Sequence, residues 1–412
     1  MGAFRLFVRA VKGYSLRRVL FWGAALASLT SLLLPPPVAL ARPRLAPVPA
    51  VSLGVPAQVP LGEPFSFSVT FDNTSGTPTD VGYGPILDLI FPVNGADGNA
   101  GAATPDGISF VSASYLGVAL NSIVLPFPDA DGAGPGTTGC VNHPYYRNTS
   151  GVRLQVCGTA GDALVVLQLP FGSFAPDQPA LTVSVQTNLS NLADLSTGLT
   201  LKARGGFRFG ADPLDNWCCD AVIVNPASID GTGWPSASVT PTLMTLAKAY
   251  SGPENETATG PNYPRRYTLT VGIADAQSVT GLTVADVLPS NLQFTSVISA
   301  NPAAACTPPP PGVPGGTLSC DFAGSVSGSA SVVFEYFIPQ FNAVGGDVLP
   351  PATGDDRTSE DNVSASASWT PTDSRDPITP ITINTSGPEL PIRETSISRS
   401  SPGAGGLGGF GG

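Results

Sequence analysis

The side chains with the most pronounced chemistry in this 412-residue sequence are its six cysteines. Cys140 and Cys157 bound one short segment and Cys306 and Cys320 another, each before an apolar stretch. An even number of cysteines fits disulfides in an exported chain. The local pairings Cys140–Cys157 and Cys306–Cys320 are expected, in matching places of two similar halves. Each would contribute about 3 kcal/mol by restricting the unfolded chain. Cys218 and Cys219 are adjacent. They read as a third inert bridge or two unreactive thiols, with a vicinal redox switch or an intermolecular cross-link as the alternative. Zinc is not expected, since there is no Cys-x-x-Cys pair and only one histidine.

That histidine, His143, lies between Cys140 and Pro144 and is expected to be a surface turn residue. A Ser–His–Asp arrangement needs an imidazole held beside a serine, and one constrained turn histidine does not suggest it. Gly-x-Ser-x-Gly, His-Glu-x-x-His, the Walker loop and the dinucleotide fingerprint are all missing from the sequence. Paired carboxylates could hydrolyse glycosides without histidine, but no acid pair stands out from the solvated ones. The sequence therefore predicts a non-enzymatic protein without an obligatory cofactor.

Calcium has the best candidates among small ligands. Asp129-Ala130-Asp131-Gly132 and Asn94-Gly95-Ala96-Asp97-Gly98-Asn99 put oxygen ligands close together in turns, as Ca²⁺ requires. The candidate ligands are Asp129, Asp131 and Asp97; neither segment completes an EF-hand loop. A Lys–Asn isopeptide bond is a second possibility. Lys202 and Lys248 are the lysines beyond the leader, and Lys248 is the better placed, although no assisting carboxylate can be identified. The loop aromatics Tyr145, Tyr146, Trp217 and Trp234, if exposed, could stack flat rings on sugars; core or loop packing is the commoner use of such rings.

These residues must be carried by strands. Gly and Pro number 47 and 43, and charged residues make up only 12%. Such a composition disfavours helices, while the β-branched and aromatic residues suit pleated strands. Phe65, Phe67, Val69 and Phe71 alternate with small polar residues, as do Tyr267, Leu269, Val271 and Ile273, giving strands with one buried face. Many short strands separated by turn residues predict sandwiches.

Ahead of them, residues 1–41 carry Arg5, Arg9, Lys12, Arg17, Arg18 and no acid, then an apolar run Val19–Leu34, Pro35–Pro37 and Ala39-Leu40-Ala41. This is a secretory leader, with cleavage expected after Ala41. The run is 16 residues, shorter than the ~20 that span a bilayer, and no transmembrane segment is expected in the mature chain. Loss of the leader moves the net charge from −11 to −16, which argues against nucleic acid as a partner.

The two series of strands match one another. Phe65–Phe71 parallels Tyr267–Ile273, Asp88-Leu-Ile-Phe-Pro92 parallels Asp286-Val-Leu-Pro289, and Ile108–Ser112 parallels Leu292–Ser296. A divergent tandem repeat is expected. It comprises a proline-rich linker (42–50), a first β-sandwich with long insertions (51–236), a second (237–388) and a disordered glycine-rich tail (389–412). Tyr267–Ile273, Asp286–Pro289, Leu292–Ser296, Cys306 with Leu318-Ser-Cys320, and Gly328–Phe334 resemble the bacterial surface repeat called domain-of-unknown-function eleven. The resemblance implies an immunoglobulin-like sandwich in a bacterial exported protein, with structural or adhesive work and no catalytic residues. The expected protein is thus all-β, secreted or held at the cell surface or outer envelope, with an unidentified protein or glycan partner. The alternative is a secreted carbohydrate- or ligand-binding module assisted by calcium.

Overall fold

The computed structural model describes residues 46–98, 104–129, 136–147, 150–212, 222–252, 260–348, 357–358, 362–373, 375–376, 380–386 and 391–392. The expected leader, Asp131, Trp217, Cys218, Cys219 and the end of the tail lie outside them. Every regular element among the described residues is a β-strand, and none is a helix long and apolar enough to cross a membrane.

The first sandwich uses β1 (Pro49–Gly54), β2 (Pro64–Asn73), β3 (Pro85–Phe91), β4 (Ile108–Tyr115) and β5 (Asn121–Pro126). After an inserted hairpin, β6 (Thr138–Arg147) and β7 (Arg153–Thr159), come β8 (Ala163–Gln168), β9 (Leu181–Leu189), β10 (Leu199–Phe207) and β11 (Ser236–Thr242). The second uses β12 (Met244–Ser251), β13 (Arg265–Ile273), β14 (Ser278–Leu288), β15 (Gln293–Asn301), β16 (Ala304–Thr307), β17 (Gly316–Phe322), β18 (Ser329–Phe337), β19 (Asn362–Trp369) and β20 (Pro380–Ser386).

The principal strands of the first sandwich run β1-β2-β9-β4 in one sheet and β11-β10-β3-β8-β5 in the other. Those of the second run β12-β13-β18-β15 and β20-β19-β14-β17-β16. Taken in chain order and without the hairpin, the two halves have the same strand order, and all these pairings are antiparallel. The protein is an all-β tandem of sandwiches. β11 pairs with β10, so the first sandwich runs on through Thr242, past the boundary expected at 236.

Period-two alternation builds the cores. Phe67, Val69 and Phe71 of β2 and Tyr267, Leu269, Val271 and Ile273 of β13 are buried, each with polar or small residues between. Burying one such side chain stabilises the fold by about 1.5–3 kcal/mol. The buried apolar residues of both sandwiches form one continuous cluster. In β3 all seven residues are buried. Leu87, Leu89 and Phe91 face that cluster, while Ile90 joins Phe127, Val156, Leu164, Val166 and Trp234 in a second, smaller core. The inserted hairpin and the segment holding Trp234 cover this outer face of the sheet.

Three expectations change here. Asp88 lies on the outer, hairpin-covered face of its sheet, whereas Asp286, with Val284 and Leu288, faces between the sheets. Proline follows Asp88 by four positions and Asp286 by three, and a shift of one residue turns a strand side chain to the opposite face. Both expected disulfides are present, but their places do not match: Cys306–Cys320 joins β16 to β17, whereas Cys140–Cys157 joins β6 to β7 of the insertion. His143 is fully buried within β6 and is no surface turn residue.

Candidate functional site

Five aspartates and one arginine meet where the sandwiches adjoin. The loop after β3 brings Asp97 and Asp106, the loop after β9 brings Asp194, and the segment after β19 brings Asp373, Arg375 and Asp376. The first loop is tightly folded: Gly95 and Gly107 donate to the carbonyls of Pro92 and Val93 at 3.4 and 3.0 Å. Gly107 has no room for a side chain, since a Cβ would lie 1.7 Å from the Pro92 carbonyl. Gly95 has φ +66°, and a Cβ there would lie 2.1 Å from Asp106 Oδ1. These glycines let the chain wrap around the Asp106 carboxyl.

The neighbouring loops are fixed to this one and to each other. Ser190 donates its hydroxyl to the Pro105 carbonyl at 2.7 Å and its N–H to the Gly107 carbonyl at 2.9 Å. Gln277, just before β14, donates to the Asn191 carbonyl at 3.3 Å and accepts from Trp369 Nε1 at 3.1 Å. It thereby ties the loop after β9 to the end of β19.

Arg375 is the cation of the cluster. Its Nη2 reaches Asp373 Oδ2 at 2.5 Å, Asp106 Oδ2 at 2.7 Å and Asp97 Oδ1 at 3.5 Å, and its Nη1 donates to the Asp97 carbonyl at 3.3 Å. The guanidinium holds Asp373 below the usual carboxylate range. The remaining acids behave oppositely. Burial, together with the Asp97 carboxyl, pushes Asp106 up to about 8. Burial and Asp194 push Asp376 up to about 7, and the same two causes raise Asp97. Carboxylates crowded in this way hold a proton or need a further cation. One oxygen from each of Asp97, Asp194 and Asp376 lies within 4.8 Å of the others, and the same holds for Asp97, Asp106 and Asp373.

Of the expected calcium ligands, only Asp97 belongs to this cluster. Asp129 lies in a different loop, before the inserted hairpin, and its expected companion Asp131 is outside the described residues. The sequence does not mark the other members, because they are drawn from three loops far apart in the chain. A Ser/Thr/Asp-rich turn such as Thr372-Asp373-Ser374-Arg375-Asp376 looks like ordinary solvated sequence.

The remaining ionic groups are internal. Asp88 accepts from Arg204 Nε at 2.8 Å and meets His143 Nε2 at 2.9 Å, with both partners fully buried. His143 Nδ1 accepts from the Tyr145 and Tyr146 N–H groups at 3.1 and 2.7 Å, so Nε2 carries the hydrogen and donates to Asp88. Burial pushes Asp88 up, but His143 and Arg204 together hold it below its ordinary value. Arg204 stacks over Trp234 at 4.3 Å. Trp234 is therefore buried, and Tyr145 and Tyr146 sit half-buried on β6; none of the three is the exposed loop aromatic required for stacking on sugars. Lys248 Nζ lies 2.8 Å from Asp286 Oδ2 with both side chains inaccessible, and 4.0 Å from the Tyr267 ring centre. Asp286 is a buried carboxylate beside Lys248, which the sequence alone does not reveal. Asn384, on β20, is exposed. An open cleft of about 930 Å³ at one end of the second sandwich is lined by Gln293, Phe337, Gln340, Phe341, Asn342 and Asp347 among others.

No family model matches this sequence, and no curated protein does. Among solved structures, domains D2 and D3 of the major pilin SpaD from Corynebacterium diphtheriae align at 12% identity and TM-score 0.24, over 35% of this chain and 50% of that one. The 35 kDa C-terminal fragment of the major pilin GBS80 of Streptococcus agalactiae aligns at 11% identity and TM-score 0.26, over 82% and 91%. BcpA, the major pilin subunit of Bacillus cereus, aligns at 10% identity and TM-score 0.24, over 66% and 68%. The chain thus spans about half the length of the SpaD fragment. Alignments at these scores do not define a shared fold, and the architecture rests on the strand pairing given above.

Proposed function

We propose that this chain is a non-enzymatic structural protein of a bacterial exterior, secreted or held at the cell surface, in which two like sandwiches act as rigid spacing or adhesive modules. The observation that carries the reading is a duplicated sandwich with a disulfide in each half, behind a sequence with the form of a secretory leader. Disulfides persist in oxidising compartments. The one histidine supports the same reading, because Asp88 and two backbone N–H groups engage both its ring nitrogens. The repeat that residues 240–345 resemble, domain-of-unknown-function eleven, is part of this proposal.

Fractionation of the source cells, with protease treatment of intact cells, tests it. The expected result is protein outside the inner membrane that begins at Arg42 and is removed by external protease. Recovery from the cytoplasm with residues 1–41 still attached would overturn the proposal.

A further inference from the structure

We propose that Asp97, Asp194 and Asp376, backed by Asp106, bind a divalent cation of the calcium class at the junction of the two sandwiches and fasten one to the other. The ligands come from both sides: Asp97, Asp106 and Asp194 from loops of the first sandwich and Asp376 from the segment after β19 of the second. An ion held by all of them is a link between the halves.

Three observations distinguish this cluster from a patch of surface acids. The first is Asp106, which is 1% exposed; Arg375 takes its Oδ2, but its Oδ1 is buried with no hydrogen-bond donor among the described residues. That carboxyl lies against Asp97, a shared member of both oxygen groups. As a carboxylate, that oxygen is costly to leave buried without a donor; the carboxyl either shares a proton with Asp97 or is relieved by a cation beside it. Asp376 lies against Asp194 in the same way, with Oδ2 shielded from solvent and no donor among the described residues.

The second is charge. Five carboxylates meet one guanidinium, and Arg375 spends its contacts on Asp373, Asp106 and Asp97. Asp194 and Asp376 have no share in it, so the uncompensated charge gathers on the Asp97–Asp194–Asp376 side. The third is size. Two oxygens on opposite sides of a calcium ion lie about 4.6–5.2 Å apart, since Ca–O distances are about 2.3–2.6 Å. The three carboxylate oxygens, within 4.8 Å of one another, fit around one ion of that radius, with water completing the six to eight ligands calcium takes. Magnesium fits less well, because it demands near-ideal octahedral geometry and these ligands are set by three separate loops.

The test uses the mature chain, residues 42–412, stripped with chelator and titrated with calcium chloride by calorimetry. One ion should bind, with a Kd on the order of 10⁻⁴–10⁻³ M, as in extracellular modules. Asp376→Asn and Asp194→Asn should each weaken binding at least tenfold. Each removes a repelling charge from a half-buried loop position, so the melting temperature without calcium should hold or rise; this separates lost binding from lost folding. Calcium should also slow proteolysis between the sandwiches near Leu243 in the native chain but not in Asp376→Asn. No binding at 10 mM calcium would overturn the proposal, as would binding unchanged in both variants. So would binding abolished by Asp129→Asn instead, which would place the ion in the other loop. None of these results would bear on whether the protein works at the cell exterior.

Discussion

Asp88→Asn is the sharpest test of how the first sandwich is held together. Arg204 and His143 each present an N–H to a different Asp88 oxygen, and all three side chains are at most 1% exposed. Asparagine is nearly the same size but has one acceptor and one donor. If its oxygen faces Arg204, its NH₂ meets the His143 Nε2–H; if it faces His143, the NH₂ meets the Arg204 Nε–H. Either way one buried donor is orphaned, and the guanidinium loses its counter-ion. Removing one partner of a buried ion pair costs about 3–5 kcal/mol. With a urea dependence of about 2 kcal/mol per molar, the midpoint should fall by about 1.5–2.5 M. Trp234 stacks on Arg204, so its fluorescence reports this unfolding. Adding Arg204→Met to Asp88→Asn removes the orphaned charge and should recover part of the loss, with a coupling of at least about 1 kcal/mol. A single Asp88→Asn variant within about 0.5 kcal/mol of the native protein, the range of an ordinary surface substitution, would refute the reasoning.

The second sandwich should respond to Lys248→Met in the same way, losing about 3–5 kcal/mol because Asp286 is left buried without its lysine; Lys248→Met with Asp286→Leu should recover much of it, as followed by Trp369 fluorescence in urea. Cys306→Ser with Cys320→Ser opens a loop of sequence separation 14 and should cost about 3 kcal/mol, seen by comparing native and variant melts without reductant. Asp162, buried and raised to about 7 by that burial, contributes a pH dependence of defined sign. Its folded value lies above the unfolded one of about 3.9, so the folded state holds the extra proton and stability falls as pH rises from about 4 to about 7. Asp162→Asn should flatten that slope in urea midpoints measured from pH 4 to 8, and an unchanged slope would contradict the assignment.

The sandwich cores were legible in the sequence because they follow strict alternation. Phe65–Phe71 and Tyr267–Ile273 fall within β2 and β13, and the two sandwiches they belong to share one strand order. The two disulfides were legible because each joins adjacent antiparallel strands close in sequence. What alternation cannot show is a second layer on the outside of a sheet. The inserted hairpin buries Asp88, His143 and Trp234 on a face that would otherwise be solvated, so a histidine between Cys140 and Pro144 looked like a turn residue. The matching of Asp88 with Asp286 failed on a single residue of register. The junction cluster was the least legible feature, since Asp97 and Asp376 are brought together only by the way the two sandwiches adjoin.

The most direct test of the central claim is intact mass and non-reducing peptide mapping of the protein as the source cell releases it. The expected chain begins at Arg42 and carries Cys140 joined to Cys157 and Cys306 joined to Cys320. A chain that retains residues 1–41, with these four cysteines as free thiols, would contradict the account of an exported, disulfide-stapled pair of sandwiches.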